Sequence, residues 1–102
     1  MLPIVFRHQA RRELDEAGDW YEQERSGLGG GLGGEFFAEI ERVLHRIAIA
    51  PEQFPLLFRG TRKAVARRFP YCVYFRERNQ RIVVIAVFHS ARNPAAWQNR
   101  TR

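Results

Sequence analysis

Cysteine, lysine and, in the second half, acidic residues are what this sequence has least of. The single cysteine, Cys72, excludes an internal disulfide framework. A small domain that folds without one suits a reducing compartment. No apolar run approaches the roughly 20 residues needed to span a bilayer; the longest is Ile82 to Phe88. The opening MLPIVFRHQARREL has no signal-peptide core. These absences give the expectation of a cytoplasmic protein with no membrane contact. Three histidines, His8, His45 and His89, lie far apart and share no metal-ligand spacing with Cys72, so neither a metal nor a cofactor is expected. With 102 residues, 45% of them hydrophobic, the chain reads as one domain spanning 1–102.

Charge is divided unevenly along the chain. Residues 1–58 carry six arginines against ten acids, a net of −4, while 59–102 carry eleven cations against Glu77 alone, a net of +10. A one-signed half of this kind steers association with phosphates or carboxylates. Sixteen of the seventeen cations are arginine, whose planar fork suits bidentate contact with either group; a GC-rich genome would give the same bias.

Hydrophobic spacing then sets the architecture. Leu2 to Phe6 reads as a first strand, with Pro3 tolerated at its start or on an edge. Ala10, Leu14, Ala17 and Tyr21, widened by Trp20, form one stripe of a helix from His8 to about Glu24. Residues 26–34, with six glycines in nine, read as a flexible connection. Gly29, Gly31 and Gly34 formally match a dinucleotide fingerprint, but that motif needs a strand before the turn and here a helix precedes it. Phe36, Phe37, Ile40, Val43, Leu44, Ile47 and Ala48 mark a second helix ended by Pro51. Ala64 to Arg68, Tyr71 to Arg76 and Arg81 to His89 read as strands, with a hairpin turn at Glu77 to Gln80. Simple alternation in the last strand sends Ile82, Val84, Ala86 and Phe88 one way and Val83, Ile85 and Val87 the other, so the strand should be central. The fold class is therefore α+β: an N-terminal strand and a two-helix antiparallel hairpin packed on a small, mainly antiparallel sheet. The sheet face away from the helices should be partly open and lined by basic and aromatic side chains.

Arg62, Lys63, Arg67 and Arg68, followed by Phe69, Pro70 and Tyr71, interleave cations with aromatics. Such a run binds nucleic acid by charge neutralisation and stacking; it could equally receive an acidic protein segment or simply protect a sheet edge. His89 ends the last strand beside Arg92, where a titratable imidazole could act on a ligand or merely bond to its own loop. The acids of the first helix, Glu13 among them, read mostly as a solvated face.

The order and spacing of several motifs resemble the RelE/ParE superfamily, the toxins of bacterial type II toxin–antitoxin systems, often called plasmid stabilisation proteins. The opening strand is followed by AxxEL (Ala10, Glu13, Leu14), WYE at 20–22, GLG before a phenylalanine-rich helix and AxxPEQFP at 48–55. RRFPYCVYF (67–75), IVVIAVFHSARNP (82–94) and Trp97 follow. The resemblance implies a growth-inhibiting toxin neutralised by a cognate antitoxin with an acidic segment. ParE-like members inhibit DNA gyrase without known hydrolysis, and the long helical hairpin and the His-x-x-Arg-Asn-Pro ending look more like that side. Target binding would then use basic and aromatic surface at Arg62, Lys63, Arg67, Arg68 and Trp97. RelE-like members cleave mRNA on the ribosome. For that chemistry the family pattern would make Arg68 the phosphate-stabilising group and His89 the acid or base, with Arg92 and Tyr71 nearby. A remnant that only binds antitoxin is the third alternative.

Overall fold

The computed structural model describes residues 1–26 and 31–101. Strand β1 (Ile4–Phe6) leads into helix α1 (His8–Glu24), and helix α2 (Leu32–Ile49) returns along it. Strands β2 (Leu56–Phe58), β3 (Thr61–Val65), β4 (Tyr71–Arg78) and β5 (Arg81–His89) follow, then the short helix α3 (Ala95–Gln98). The sheet order is β1-β5-β4-β3-β2, with β1 parallel to β5 and every other pair antiparallel. The helical hairpin on a mainly antiparallel sheet is the architecture the hydrophobic spacing predicts.

Both helices bury the stripes that define them. Ala10, Leu14, Ala17 and Tyr21 of α1 and Phe36, Ile40, Val43 and Ile47 of α2 pack with Val73, Phe75, Ile82, Val84 and Val87 of the sheet. Trp20 is the exception: it is 55% exposed and stands beside the stripe rather than in it. The helices approach closely at two glycines. A Cβ on Gly18 would strike the Phe37 ring, and one on Gly33 would lie 2.7 Å from the Gly18 carbonyl oxygen. Gly33 N–H also donates to Glu22 Oε1 at 3.0 Å. The glycine-rich connection expected over 26–34 is thus corrected at its end, since Leu32, Gly33 and Gly34 belong to the first turn of α2. Residues 27–30, including Gly29 of the fingerprint, lie outside the described residues.

Three sheet expectations change. The strand placed at Ala64 to Arg68 runs instead over Thr61–Val65, and Leu56–Phe58 adds an edge strand the spacing does not announce. Phe58 pairs with Thr61 across Arg59 and Gly60, which take φ of 48° and 76°, the mirror-image geometry of a tight hairpin turn. The β4–β5 turn is likewise Asn79-Gln80, with φ of 52° and 61°, so β4 extends to Arg78. Strict alternation also fails in β5. Tyr74 pairs with Ala86 and Phe75 with Val84, leaving Ile85 as an extra residue, a β-bulge. Past the bulge the faces exchange: Ile82, Val84 and Val87 face the helices, while Ile85, Ala86 and Phe88 join a second cluster with Cys72, Tyr74 and Trp97.

That second cluster lies on the outer face, so this face is less open than expected. The C-terminal segment folds over it, and Trp97 stacks on Tyr74 with ring centroids 4.5 Å apart. The other half of the outer face carries arginines around Val5 and Val83. Among the described residues, no helix is long and apolar enough to cross a membrane.

Candidate functional site

At the C-terminal end of β5 a shallow cleft opens between the sheet and α1. Its lining comes from Glu13, Glu16, Ala17 and Trp20 of α1, Tyr71 at the start of β4, His89 at the end of β5, and Arg92. Two features of the chain build it. Tyr71 pairs in register with His89, bringing their rings to 5.3 Å at 75°. The bulge at Ile85 then matters for aim, because it places His89 on the same side as Val87, toward α1.

Glu13 anchors the floor. The strand β1 pairs with β5 only over Ile82–Val84, which leaves the next stretch of that β5 edge without a strand partner. Glu13 and Arg100 fill the gap: Glu13 Oε1 accepts from Val87 N–H at 3.1 Å, and Arg100 Nη1 donates to the Ile85 carbonyl at 3.0 Å. Arg100 also donates to both Glu13 oxygens, at 3.1 and 2.7 Å, and Arg92 donates to Oε2 at 3.0 Å. The carboxylate therefore accepts four hydrogen bonds and faces two guanidiniums, so its oxygens are already occupied by protein donors. Arg92 and Arg100 further lie over the Phe88 ring, at 3.9 and 5.2 Å from its centroid.

The remaining groups can hold a ligand. His89 is exposed, and its Nδ1 accepts from Ala91 N–H at 3.0 Å. In the neutral ring the proton then sits on Nε2, the nitrogen left to donate outward. Burial, and secondarily Tyr21, raises the Tyr71 pKa, so its hydroxyl stays protonated near neutral pH and also donates. Trp20 offers an exposed ring at the rim.

The sequence-predicted residues fall in three places. Tyr71, His89 and Arg92 meet in the cleft, while Arg68 does not line it. Arg68 instead donates to Glu35 Oε1 at 2.9 Å, and Glu35 also pairs with Arg25. The hydrogen bonds from Arg68 and then Arg25 lower the Glu35 pKa. Arg67 is held through its backbone N–H, which donates to Glu39 Oε2 at 2.7 Å; Glu39 is buried and also pairs with Arg42. Arg62 donates to the Phe54 carbonyl at 2.7 Å. Its neighbour Lys63 pairs with Tyr74 and so points to the other face. Trp97, expected as contact surface, is corrected: it is 1% exposed, buried by its stack on Tyr74 and by Phe58.

Glu13, Glu39 and Arg100 are the residues that sequence reasoning misses. Glu13 shares α1 with five other acids, and the partner that distinguishes it is 87 positions away. Among the described residues no three His, Cys, Asp or Glu side chains gather in a metal-binding group.

Comparison with known proteins agrees with this frame. The family model for the ParE toxin of type II toxin-antitoxin system, parDE, matches residues 4–94. Among solved structures, the fold is similar to a chain of the chromosomal ParDE TA system from P. aeruginosa, with a TM-score of 0.61 at 18% identity, over 87% of this chain and 96% of that one. No curated protein sequence matches the chain.

Proposed function

Because the chain belongs to the ParE toxin family of type II toxin–antitoxin systems, we propose that it inhibits DNA gyrase by binding and that a cognate antitoxin with an acidic segment neutralises it. The observation that carries the binding reading is the separation of Arg68, the expected phosphate-stabilising group, from the cleft that holds Tyr71, His89 and Arg92. RNA cleavage by phosphoryl transfer needs a base for the 2′-hydroxyl, an acid for the leaving oxygen and a cation on the developing charge, all around one phosphate. Here the Arg68 guanidinium is engaged by Glu35, and the Glu13 carboxylate is saturated by Arg92, Arg100 and Val87 N–H. What the cleft presents outward is the Trp20 ring, donors from Tyr71 and His89, and the Glu16 carboxylate, while its one arginine, Arg92, is bound to Glu13, so no unengaged guanidinium among the described lining residues faces a phosphate.

An antitoxin segment has a complementary surface in Arg67 and Arg68, both exposed. Acidic side chains there would compete with Glu35 for Arg68. Buried Trp97 contributes by holding the outer face in shape.

The convergence of Tyr71, His89 and Arg92 favours ribosome-dependent mRNA cleavage as the second reading. Two assays with the purified protein separate them: supercoiling of relaxed plasmid by gyrase, and mapping of mRNA 5′ ends on programmed ribosomes. The binding reading expects supercoiling to be blocked, the block to be relieved by Arg67→Glu with Arg68→Glu, and mRNA to stay intact. Codon-associated cuts that vanish in His89→Ala would replace it with the ribonuclease reading. Silence in both assays, with antitoxin still bound, would leave a toxin-like remnant.

A further inference from the structure

A second gathering of arginines lies apart from those clustered in the sequence. Arg62 donates to the Phe54 carbonyl and Arg68 to Glu35, and Arg67 is held through its backbone N–H alone. A different group gathers on the bare half of the outer sheet face. Arg7, Arg76, Arg78 and Arg81 surround a groove floored by Val5 and Val83. The pairing explains the gathering. Val5 lies opposite Val83, Val83 opposite Arg76, and Arg81 opposite Arg78. Stepping two residues along each strand keeps the same face, so Arg7, Arg81 and Arg78 follow Val5, Val83 and Arg76. From the β2–β3 turn, Arg59 is close enough for its charge to act on Arg76.

None of these five guanidiniums forms an ion pair among the described residues; Arg7 donates only to the Arg100 carbonyl, at 3.2 Å. Burial first, then the charges of Arg78, Arg7 and Arg59, lower the Arg76 pKa, as expected where like charges share a site without an anion. Such repulsion costs stability and is relieved when an anion binds. We propose that this arginine groove, across the tip of the β4–β5 hairpin and the end of β1, binds the sugar–phosphate backbone of a nucleic-acid strand.

The dimensions favour a chain of phosphates over a single one. From Arg7, just past the end of β1, to Arg59 beside β3 the row crosses about three strand spacings, roughly 15 Å, which spans several successive phosphates. The apolar floor of Val5 and Val83 gives sugars and bases a surface to pack against. An added acidic peptide strand would find a poor template, because β1 is three residues long and preceded by Pro3. The inference does not depend on gyrase being the target.

The test is fluorescence anisotropy with the full chain and a labelled 15-nucleotide single strand of mixed sequence, over a series of salt concentrations. Binding should weaken linearly on a log–log salt plot. The triple variant R76Q/R78Q/R81Q should bind at least tenfold more weakly and lose about two from the slope, since each neutralised phosphate contributes about 0.7. R12Q/R46Q, with both changes on the helices, should match the wild type. Amide shifts in the wild-type chain on adding the strand provide a readout independent of any variant's folding, and should fall on residues 5–7 and 76–83. Absence of salt-dependent binding, a triple variant that retains its fold, affinity and slope, or shifts confined to the cleft would each overturn the proposal. So would preferential displacement by a polyglutamate peptide of equal charge, which would assign the groove to an acidic protein segment.

Discussion

Glu13, with Arg100, ties together three parts of the chain: α1, the unpaired edge of β5 and the C-terminal segment. Its side chain and that of Arg100 are each 13% exposed, so the pair lies between the surface regime, where such contacts contribute little, and the buried one, where breaking a pair is costly. Glu13→Gln keeps the size but removes the charge and points an amide donor at one of two guanidiniums. We expect a loss of about 3 kcal/mol in urea unfolding; a loss below about 1 kcal/mol would class it with exposed pairs. A second residue-scale effect is alkaline. Burial raises the pKa of Tyr21, Tyr71, Tyr74 and Cys72. A group whose folded pKa is raised favours the folded state below its unfolded value and loses that contribution as pH rises through the folded one. Stability should therefore begin to fall near the ordinary thiol value of about 8.5, and more steeply past the phenol value of about 10. Phenolate absorbance should then rise together with loss of helical circular dichroism; free titration of all three tyrosines in a folded chain would refute the burial. Neither the Glu13 network nor the alkaline behaviour is legible in sequence, because Glu13 shares α1 with five other acids and its meaning comes from Arg100, 87 residues on.

Between elements, the tightest constraint is the α1–α2 crossing. Gly33 and Gly34 are adjacent in the first turn of α2, yet their surroundings differ. A Cβ on Gly33 would meet the Gly18 carbonyl at 2.7 Å and Glu22 Cβ at 2.9 Å, whereas one on Gly34 would meet nothing within 4 Å. Opposite signs follow. Gly33→Ala should destabilise by about 1–3 kcal/mol, since a backbone oxygen cannot move aside without shifting a helix. Gly34→Ala should stabilise by about 0.5–1 kcal/mol by restricting the unfolded chain. Thermal unfolding of the two variants side by side decides it, and equal shifts of one sign would mean that the glycines serve only as a loose connection. Helices and the β4–β5 hairpin were readable because each rests on its own spacing: Ala10, Leu14, Ala17 and Tyr21 recur at three and four, and Tyr71 to Phe75 is unbroken strand-forming sequence. The strand β2 was not, because three residues after Pro55 carry no period, and the bulge at Ile85 was not, because an apolar residue there satisfies either face. That single uncounted residue decides which way His89 points, so the cleft's composition was legible while its assembly was not.

For the molecule as a whole, the sheet has two cores and they are closed by different ends of the chain. The helical hairpin covers one face, and the last turns of the chain cover half of the other, with Trp97 buried against Tyr74, Phe58 and Ala96. The family match ends at residue 94, before both Trp97 and Arg100. Those two residues are nonetheless structural, one filling the outer core and the other neutralising Glu13 and capping the Ile85 carbonyl. Trp97→Ala should cost about 3–5 kcal/mol, the range for emptying a large aromatic site, against a total stability of about 5–15 kcal/mol for a domain of ordinary stability. Ending the chain after Pro94 removes the tryptophan and also leaves Glu13 without Arg100, so the two losses add on one strand. Such a chain should lack a cooperative thermal transition and bind a hydrophobic dye, while Trp97→Phe retains most of the packing and a measurable transition. If the shortened chain instead unfolds cooperatively within about 1 kcal/mol of the full one, the outer core contributes little and the arginine-bearing half of that face must be held by β1 and the β4–β5 hairpin alone.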